Sequence, residues 1–253
     1  MKSSFFSRLL SFALASAGVS AEGALVTPAS DSSGYRALPT EFNLRSIETM
    51  GDRLDISDED DGVTTVPIGF SFTFYGQQYE QVEVSSNGFM TFTVAGDPAC
   101  CSGERIATPG GRVDNFVAGY WQDLDPSEGG DIFSFTSGLL GEREFVIGFY
   151  SVTDNDSPSL SVNTFEMILH ESSHSIELQY GQVQYDRFDD KVIGIENSDG
   201  SDGIELLFLE SGDPNFNDGD FLARSEGVIF TIPEPSTALL SGLAIFGFLR
   251  RKR

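Results

Sequence analysis

The chain has 253 residues, with 15 Lys plus Arg against 39 Asp plus Glu, giving a formal charge of −24 at neutral pH. That charge repels phosphate backbones and excludes nucleic acid as a partner, and two Cys exclude a disulfide scaffold or a four-thiolate zinc site. With 40% hydrophobic and 12% aromatic residues, the chain can bury a core, which excludes wholesale disorder.

At the N-terminus, Lys2 and Arg8 flank the start of a short apolar run from Leu9 to Val19, and small residues follow. This order predicts a secretory signal peptide over 1–21, cut after Val19-Ser20-Ala21 or, alternatively, after Ala15-Ser16-Ala17. Export by the Sec machinery and signal peptidase is the expectation. Residues 22–34 read as a leader, and 35–232 as one domain.

From Val66 the hydrophobic period is two. Ile68, Phe70, Phe72 and Phe74 alternate with Gly69, Ser71, Thr73 and Tyr75, the pattern of a strand with one buried face. Val82 and Val84 precede Ser85-Ser86-Asn87-Gly88, after which alternation resumes at Phe89. Asn-Gly between two such runs predicts a hairpin with a type I′ turn, which needs φ > 0 at both central residues. Further strands are predicted over 116–121, 131–136, 144–152, 162–170, 175–181, 191–196, 204–210 and 227–232. Gly, Asp, Asn and Ser turns separate them, and no segment between the two ends has the period of an amphipathic helix. The fold class that follows is all-β: an antiparallel β-sandwich or jelly-roll-like domain, flanked by the signal peptide and a C-terminal transmembrane sorting helix. Trp121 is expected to be half-buried with its N–H paired, or else to stack on a sugar.

Three segments carry a resemblance. Gly69-Phe70-Ser71-Phe72-Thr73-Phe74-Tyr75-Gly76, then Tyr79 and Val84-Ser85-Ser86-Asn87-Gly88-Phe89, resemble the start of a nidogen-like (NIDO) domain. Ala118-Gly119-Tyr120-Trp121-Gln122-Asp123-Leu124-Asp125 is similar to that family's aromatic-x-Asp-x-Asp segment, and Asn163 to Leu169 to its Asn-Thr-Phe-Gln strand. The resemblance spans about Tyr35 to Phe208. It implies an extracellular β module that serves adhesion or matrix assembly rather than catalysis. The additional modules of the animal proteins are lacking, so their partners do not carry over.

His170-Glu171-Ser172-Ser173-His174 matches the His-Glu-x-x-His pattern, in which two His on one helix face hold Zn²⁺ and the Glu activates water. Here Phe165, Met167 and Leu169 alternate before it, and Ile176, Leu178 and Tyr180 after it, which predicts a hairpin tip instead. No third His exists, and Glu196 is the nominal third ligand. Calcium is the better metal candidate: Asp213, Asn215, Asn217 and Asp220 place oxygen donors at nearly alternating positions, although Gly219 and the missing twelfth-position Glu depart from an EF-hand. Asp58 to Gly62 and Asp199 to Gly203 are further acidic turns. Cys100 and Cys101 are adjacent and could form a vicinal disulfide, pair between molecules, or stay reduced.

At the C-terminus, an apolar run from Ala238 to Leu249 follows Ser236 or Thr237 as helix cap and ends in Arg250-Arg251-Lys252-Arg253. A helix over 236–250 would be about 22 Å long. It would reach across a bilayer core with snorkelling basic ends, its cations on the cytoplasmic side. Pro233-Glu234-Pro235 stands directly before it. Pro-Glu-Pro, apolar helix and basic cluster together resemble the PEP-CTERM sorting signal of exported Gram-negative proteins, over 233–253. The resemblance implies recognition and tail removal by a membrane-embedded exosortase, transient residence in the inner membrane through 236–249, and a destination at the cell surface or in an exopolysaccharide matrix. A plain C-terminal membrane anchor is the alternative. Between the two ends, residues 22–232 hold nine basic and 38 acidic side chains, a net of −29; such a surface is soluble, repels anionic polymers and suits divalent cations. The expected role is a non-catalytic surface or matrix protein that binds polysaccharide or matrix proteins. The alternative is a secreted zinc hydrolase. Ice binding lacks the repeated Thr rows it would need.

Overall fold

The computed structural model describes residue 25, residues 29–156 and residues 162–232. The predicted signal peptide, and the predicted sorting signal with Pro233, Glu234, Pro235, Arg250, Arg251, Lys252 and Arg253, lie outside the described residues. Strands follow in chain order: β1 (Ala29–Ser30), β2 (Arg36–Thr40), β3 (Asp52–Arg53), β4 (Val63–Phe74), β5 (Gln77–Ser85), β6 (Phe89–Thr91), β7 (Phe116–Trp121) and β8 (Leu124–Asp125). After these come β9 (Asp131–Ser137), β10 (Glu144–Asp154), β11 (Val162–His170), β12 (Ile176–Gln184), β13 (Lys191–Glu196), β14 (Gly203–Leu209) and β15 (Phe221–Thr231). Among the described residues the helical elements are 3-10 turns at Ile47–Thr49 and Asp55–Asp58.

The strands form two antiparallel sheets. The larger runs β1-β2-β15-β12-β11-β10-β9-β3, with β8 paired to β10; the smaller runs β14-β13-β7-β6-β5-β4. The period-two pattern explains their stacking. Ile68, Phe72 and Phe74 from the smaller sheet and Phe165, Met167, Leu169, Ile176, Leu178 and Tyr180 from the larger are fully buried in one core. Each such Phe or Leu contributes about 1.5–3 kcal/mol relative to exposure. Buried tyrosines bridge the layers: Tyr180 donates to Gly119 O at 2.8 Å and Tyr120 to Gln184 O at 2.5 Å.

Each sheet also carries a covering segment on its outer face. Over the larger sheet, Ile47 packs with Val146, Tyr150 and Ile168. Residues 43–47 are fastened there by side chains, not by a ladder: Asn43 N–H donates to Gln179 Oε1 (2.7 Å), Arg45 and Ser46 N–H to Glu166 (2.8 Å each), and Ile47 N–H to the Tyr150 hydroxyl (2.9 Å). Over the smaller sheet, Ala99, Ile106 and Val113 pack on Phe89, Phe116, Trp121 and Val192.

Two local expectations are corrected. The β5–β6 connection is a three-residue turn, Ser86-Asn87-Gly88, with Ser85 opposite Phe89, and Gly88 alone among the three has φ > 0 (+85°). It is therefore not type I′, because the Asn87 backbone stays in the ordinary region while its side chain bonds outward. Trp121 is fully buried rather than half-buried: its faces meet Phe89 and Phe116, and its N–H donates to Ala99 O at 3.3 Å. Stacking on a sugar is thereby excluded.

Candidate functional site

The chain passes from the smaller to the larger sheet between β7 and β8, at Gln122-Asp123, and returns between β12 and β13, where Asp189 lies. The connection from β3 to β4 makes the same crossing and contains Asp60 and Asp61. These crossings gather at one end of the sandwich.

The Ser86-Asn87-Gly88 turn organises that end. Gly88 O accepts from the N–H groups of Gly119 and Tyr120, both at 3.1 Å. Asn87 accepts through its backbone carbonyl from Gln122 N–H (3.3 Å) and through Oδ1 from Leu124 N–H (3.0 Å), while its Nδ2 donates to Asp61 Oδ1 (2.8 Å). Ser86 Oγ accepts from Gly62 N–H (3.0 Å) and donates to Asp60 O. One turn thus holds both the Asp60-Asp61 loop and the Gln122–Leu124 crossing.

Asp123 is 6% exposed. Its Oδ2 accepts from Asn155 Nδ2 at 3.2 Å, and Asn155 N–H returns a bond to Asp123 O at 3.0 Å. Its Oδ1 is buried with no hydrogen-bond partner among the described residues. One carboxylate oxygen from each of Asp123, Asp156 and Asp189 lies within 4.8 Å of those of the other two. Asp123 also lies within that distance of an Asp61 oxygen and of the Cys100 and Cys101 sulfurs. At such separations two ionised carboxylates repel by about 3–4 kcal/mol at an effective dielectric constant of about 20. Burial raises the Asp123 carboxyl to about 7 against the Asn155 hydrogen bond, and the charges of Asp189, Asp60 and Asp61 add to the rise. Burial also raises Asp60, helped by Asp125, Asp61 and Asp156, and raises Asp189 despite Lys191. Lys191 is itself engaged: its ammonium donates to Asp186 Oδ1 (2.8 Å), Phe188 O and Asp189 O (3.0 Å).

Of the metal and catalytic candidates singled out from the sequence, Asp60, Asp61 and the two cysteines lie at this end, and the others lie elsewhere. Cys100 and Cys101 are joined as a vicinal disulfide beside Asp61 and Asp123. Asp213, Asn215, Asn217 and Asp220 lie between β14 and β15 as two local pairs. Asp213 Oδ1 accepts from the Asn215 N–H and amide (2.9 and 2.8 Å), and Asp220 Oδ2 from those of Asn217 (2.8 and 3.2 Å). In the other acidic turns, Asp58 pairs with Arg53, outside its turn, and Asp199 accepts from the Ser201 hydroxyl within its own.

His170 ends β11 and His174 lies in the turn before β12, so the His-Glu-x-x-His segment occupies a hairpin. His170 Nε2 meets Glu177 Oε2 at 2.8 Å, whereas His174 Nδ1 accepts from Thr73 N–H at 3.3 Å and its ring edges onto Phe72. Glu171 is bound by Arg143 and by Gly141 N–H. Glu196 is buried in β13, with Oε2 accepting from Ala107 N–H at 2.6 Å. The two imidazoles therefore serve different partners on different elements.

Sequence reasoning missed the convergence of Asp123, Asp156 and Asp189, because no local spacing links them. The available signal was an aspartate embedded in an aromatic run at Tyr120-Trp121-Gln122-Asp123.

A family model described as NIDO related matches residues 34–215, and one described as the PEP-CTERM protein-sorting motif matches residues 231–253. No curated protein and no solved structure matches the chain.

Proposed function

The chain belongs to the NIDO-related family and ends in a PEP-CTERM motif, and from that premise we propose that it is a non-catalytic adhesion or matrix protein on the surface of a Gram-negative bacterium. The motif marks a protein exported by the Sec route as a membrane-anchored precursor and processed by an exosortase for the cell surface, and a NIDO-related domain fits an extracellular place. The adhesion or matrix role is our inference. One observation carries it, the sorting motif following directly on a NIDO-related sandwich with no further described domain between them.

Two features support a binding role over a chemical one. Both histidines are held by structural partners in a hairpin, and the net charge of −29 over residues 22–232 favours solubility at a hydrated surface. The natural ligand class is matrix polysaccharide or another matrix protein, held by loops or sheet edges.

A host strain lacking this chain, complemented with the intact gene, tests the reading. Complementation is expected to restore retention of exopolysaccharide at the cells, equally with His170→Ala and His174→Ala. Unchanged matrix retention in the deletion strain, or loss of the phenotype on either histidine substitution alone with the protein still folded and exported, would sink the reading.

A further inference from the structure

The acidic end of the sandwich supports an inference that stands on its side chains alone and does not depend on the surface-module reading. We propose that Asp123, Asp156 and Asp189 form a binding site for a hard divalent cation, best suited to Ca²⁺.

The geometry is the first support. Calcium–oxygen distances are about 2.3–2.6 Å, so oxygens on opposite sides of one ion are separated by up to about 5 Å. Three carboxylate oxygens mutually within 4.8 Å can therefore share one ion. They come from three connections, β7–β8, the segment after β10, and β12–β13, so the arrangement is a product of the fold and not of a single acidic turn.

The second support is independent of the cluster. Asp123 is more than nine-tenths buried and its Oδ1 has no hydrogen-bond partner among the described residues. A buried carboxylate oxygen without a donor is costly unless something positive or protic meets it. The Lys191 ammonium, which acts on Asp189, already has three acceptors of its own. A cation between Asp123, Asp189 and the exposed Asp156 would meet the Asp123 carboxylate and relieve the mutual repulsion, and Asp156 leaves the site open to solvent on one side.

Donor chemistry selects the class of ion. All three donors are carboxylate oxygens, which suit hard cations. The neighbouring sulfurs of Cys100 and Cys101 are bonded to each other. Three carboxylate oxygens drawn from separate connections suit the flexible coordination of Ca²⁺ better than Mg²⁺, which demands near-ideal octahedral geometry.

The site can be tested on the full chain, stripped with chelator and desalted. Thermal unfolding is followed with rising Ca²⁺, and Tb³⁺ luminescence is excited through the indole band. Trp121 is the chain's single Trp and stands two residues before Asp123, so Tb³⁺ at this site should be sensitised by it. At Ca²⁺ about a hundredfold above the dissociation constant, the midpoint is expected to rise by about 5–10 °C. Asp123→Asn and Asp189→Asn are each expected to weaken Ca²⁺ and Tb³⁺ binding at least about tenfold, while Asp213→Asn with Asp220→Asn leaves both unchanged. If Asp123→Asn fails to fold, Asp156→Asn, at an exposed position, gives the same readout. No response of the full chain to Ca²⁺ would overturn the proposal. So would a response that survives Asp156→Asn and Asp189→Asn, or one abolished by the Asp213 and Asp220 substitutions.

Discussion

Gly88→Ala is expected to destabilise the domain by about 3 kcal/mol or more, against about 1 kcal/mol for Gly76→Ala. Both glycines have positive φ, +85° and +79°, a conformation that costs an L side chain about 1–2 kcal/mol. They differ in what a side chain would meet. A Cβ at Gly76 finds open space within 4 Å, whereas one at Gly88 would lie 2.0 Å from Tyr120 O, a backbone atom. Relief would require separating the turn from β7 and breaking the bonds from Gly119 and Tyr120 N–H to Gly88 O, adding about 1–3 kcal/mol as in overpacked cores. Urea unfolding midpoints of the two variants measure the difference. Equal costs would mean that the docking of the turn on β7 is not as described.

Glu166→Ala is expected to cost about 3–5 kcal/mol, comparable with removing a core aromatic residue. Glu166 is fully buried, and its two oxygens accept from Arg45 N–H, Ser46 N–H and the Tyr150 hydroxyl. Truncation leaves three donors without acceptors and releases the segment over the larger sheet. Glu166→Gln, which keeps one acceptor oxygen, should cost less.

The same region gives a pH dependence. Burial opposes ionisation of Glu177, but hydrogen bonds from His170 and Arg45, with the Arg45 charge, outweigh it and hold the carboxyl at about 2 against an ordinary 4.5. A lowered acid contributes stability that is fully present above pH 4.5 and is lost as pH falls towards 2. Glu177→Gln should therefore flatten the decline in stability between those values. An unchanged acid limb in that variant would mean that Glu177 is not held by Arg45 in solution.

Much of the sandwich was legible because its strands obey one rule. Wherever one face is buried, as in Ile68, Phe70, Phe72 and Phe74, or Phe165, Met167 and Leu169, the period of two shows directly. The same rule placed His170 and His174 in a hairpin, since the alternation runs up to the motif and resumes after it. Elements fastened in other ways were not legible. β2 contains Pro39, begins at an exposed arginine and pairs with β15, far along the chain. Residues 43–47 show no pattern because their backbone donors are met by the side chains of Gln179, Glu166 and Tyr150. The Asn-Gly turn was legible as a turn but not in its type, which is set by the bonds of Asn87 to Leu124 and Asp61. The acidic site followed the same logic. A search along the chain finds runs such as Asp213 to Asp220, whose groups bond to one another. Asp123 and Asp189 come together through crossings between the sheets and meet Asp156 from the segment after β10, so no local spacing links the three.

Export with sorting through the C-terminal motif is the claim on which the functional reading rests, and the intact mass of the chain from the envelope and extracellular fractions of an exosortase-bearing host tests it most directly. The expected product begins at Glu22 and lacks the tail from the apolar run through Arg253. A chain with Met1 or its formylated form at one end and Arg253 at the other, recovered from the cytoplasm, would contradict it.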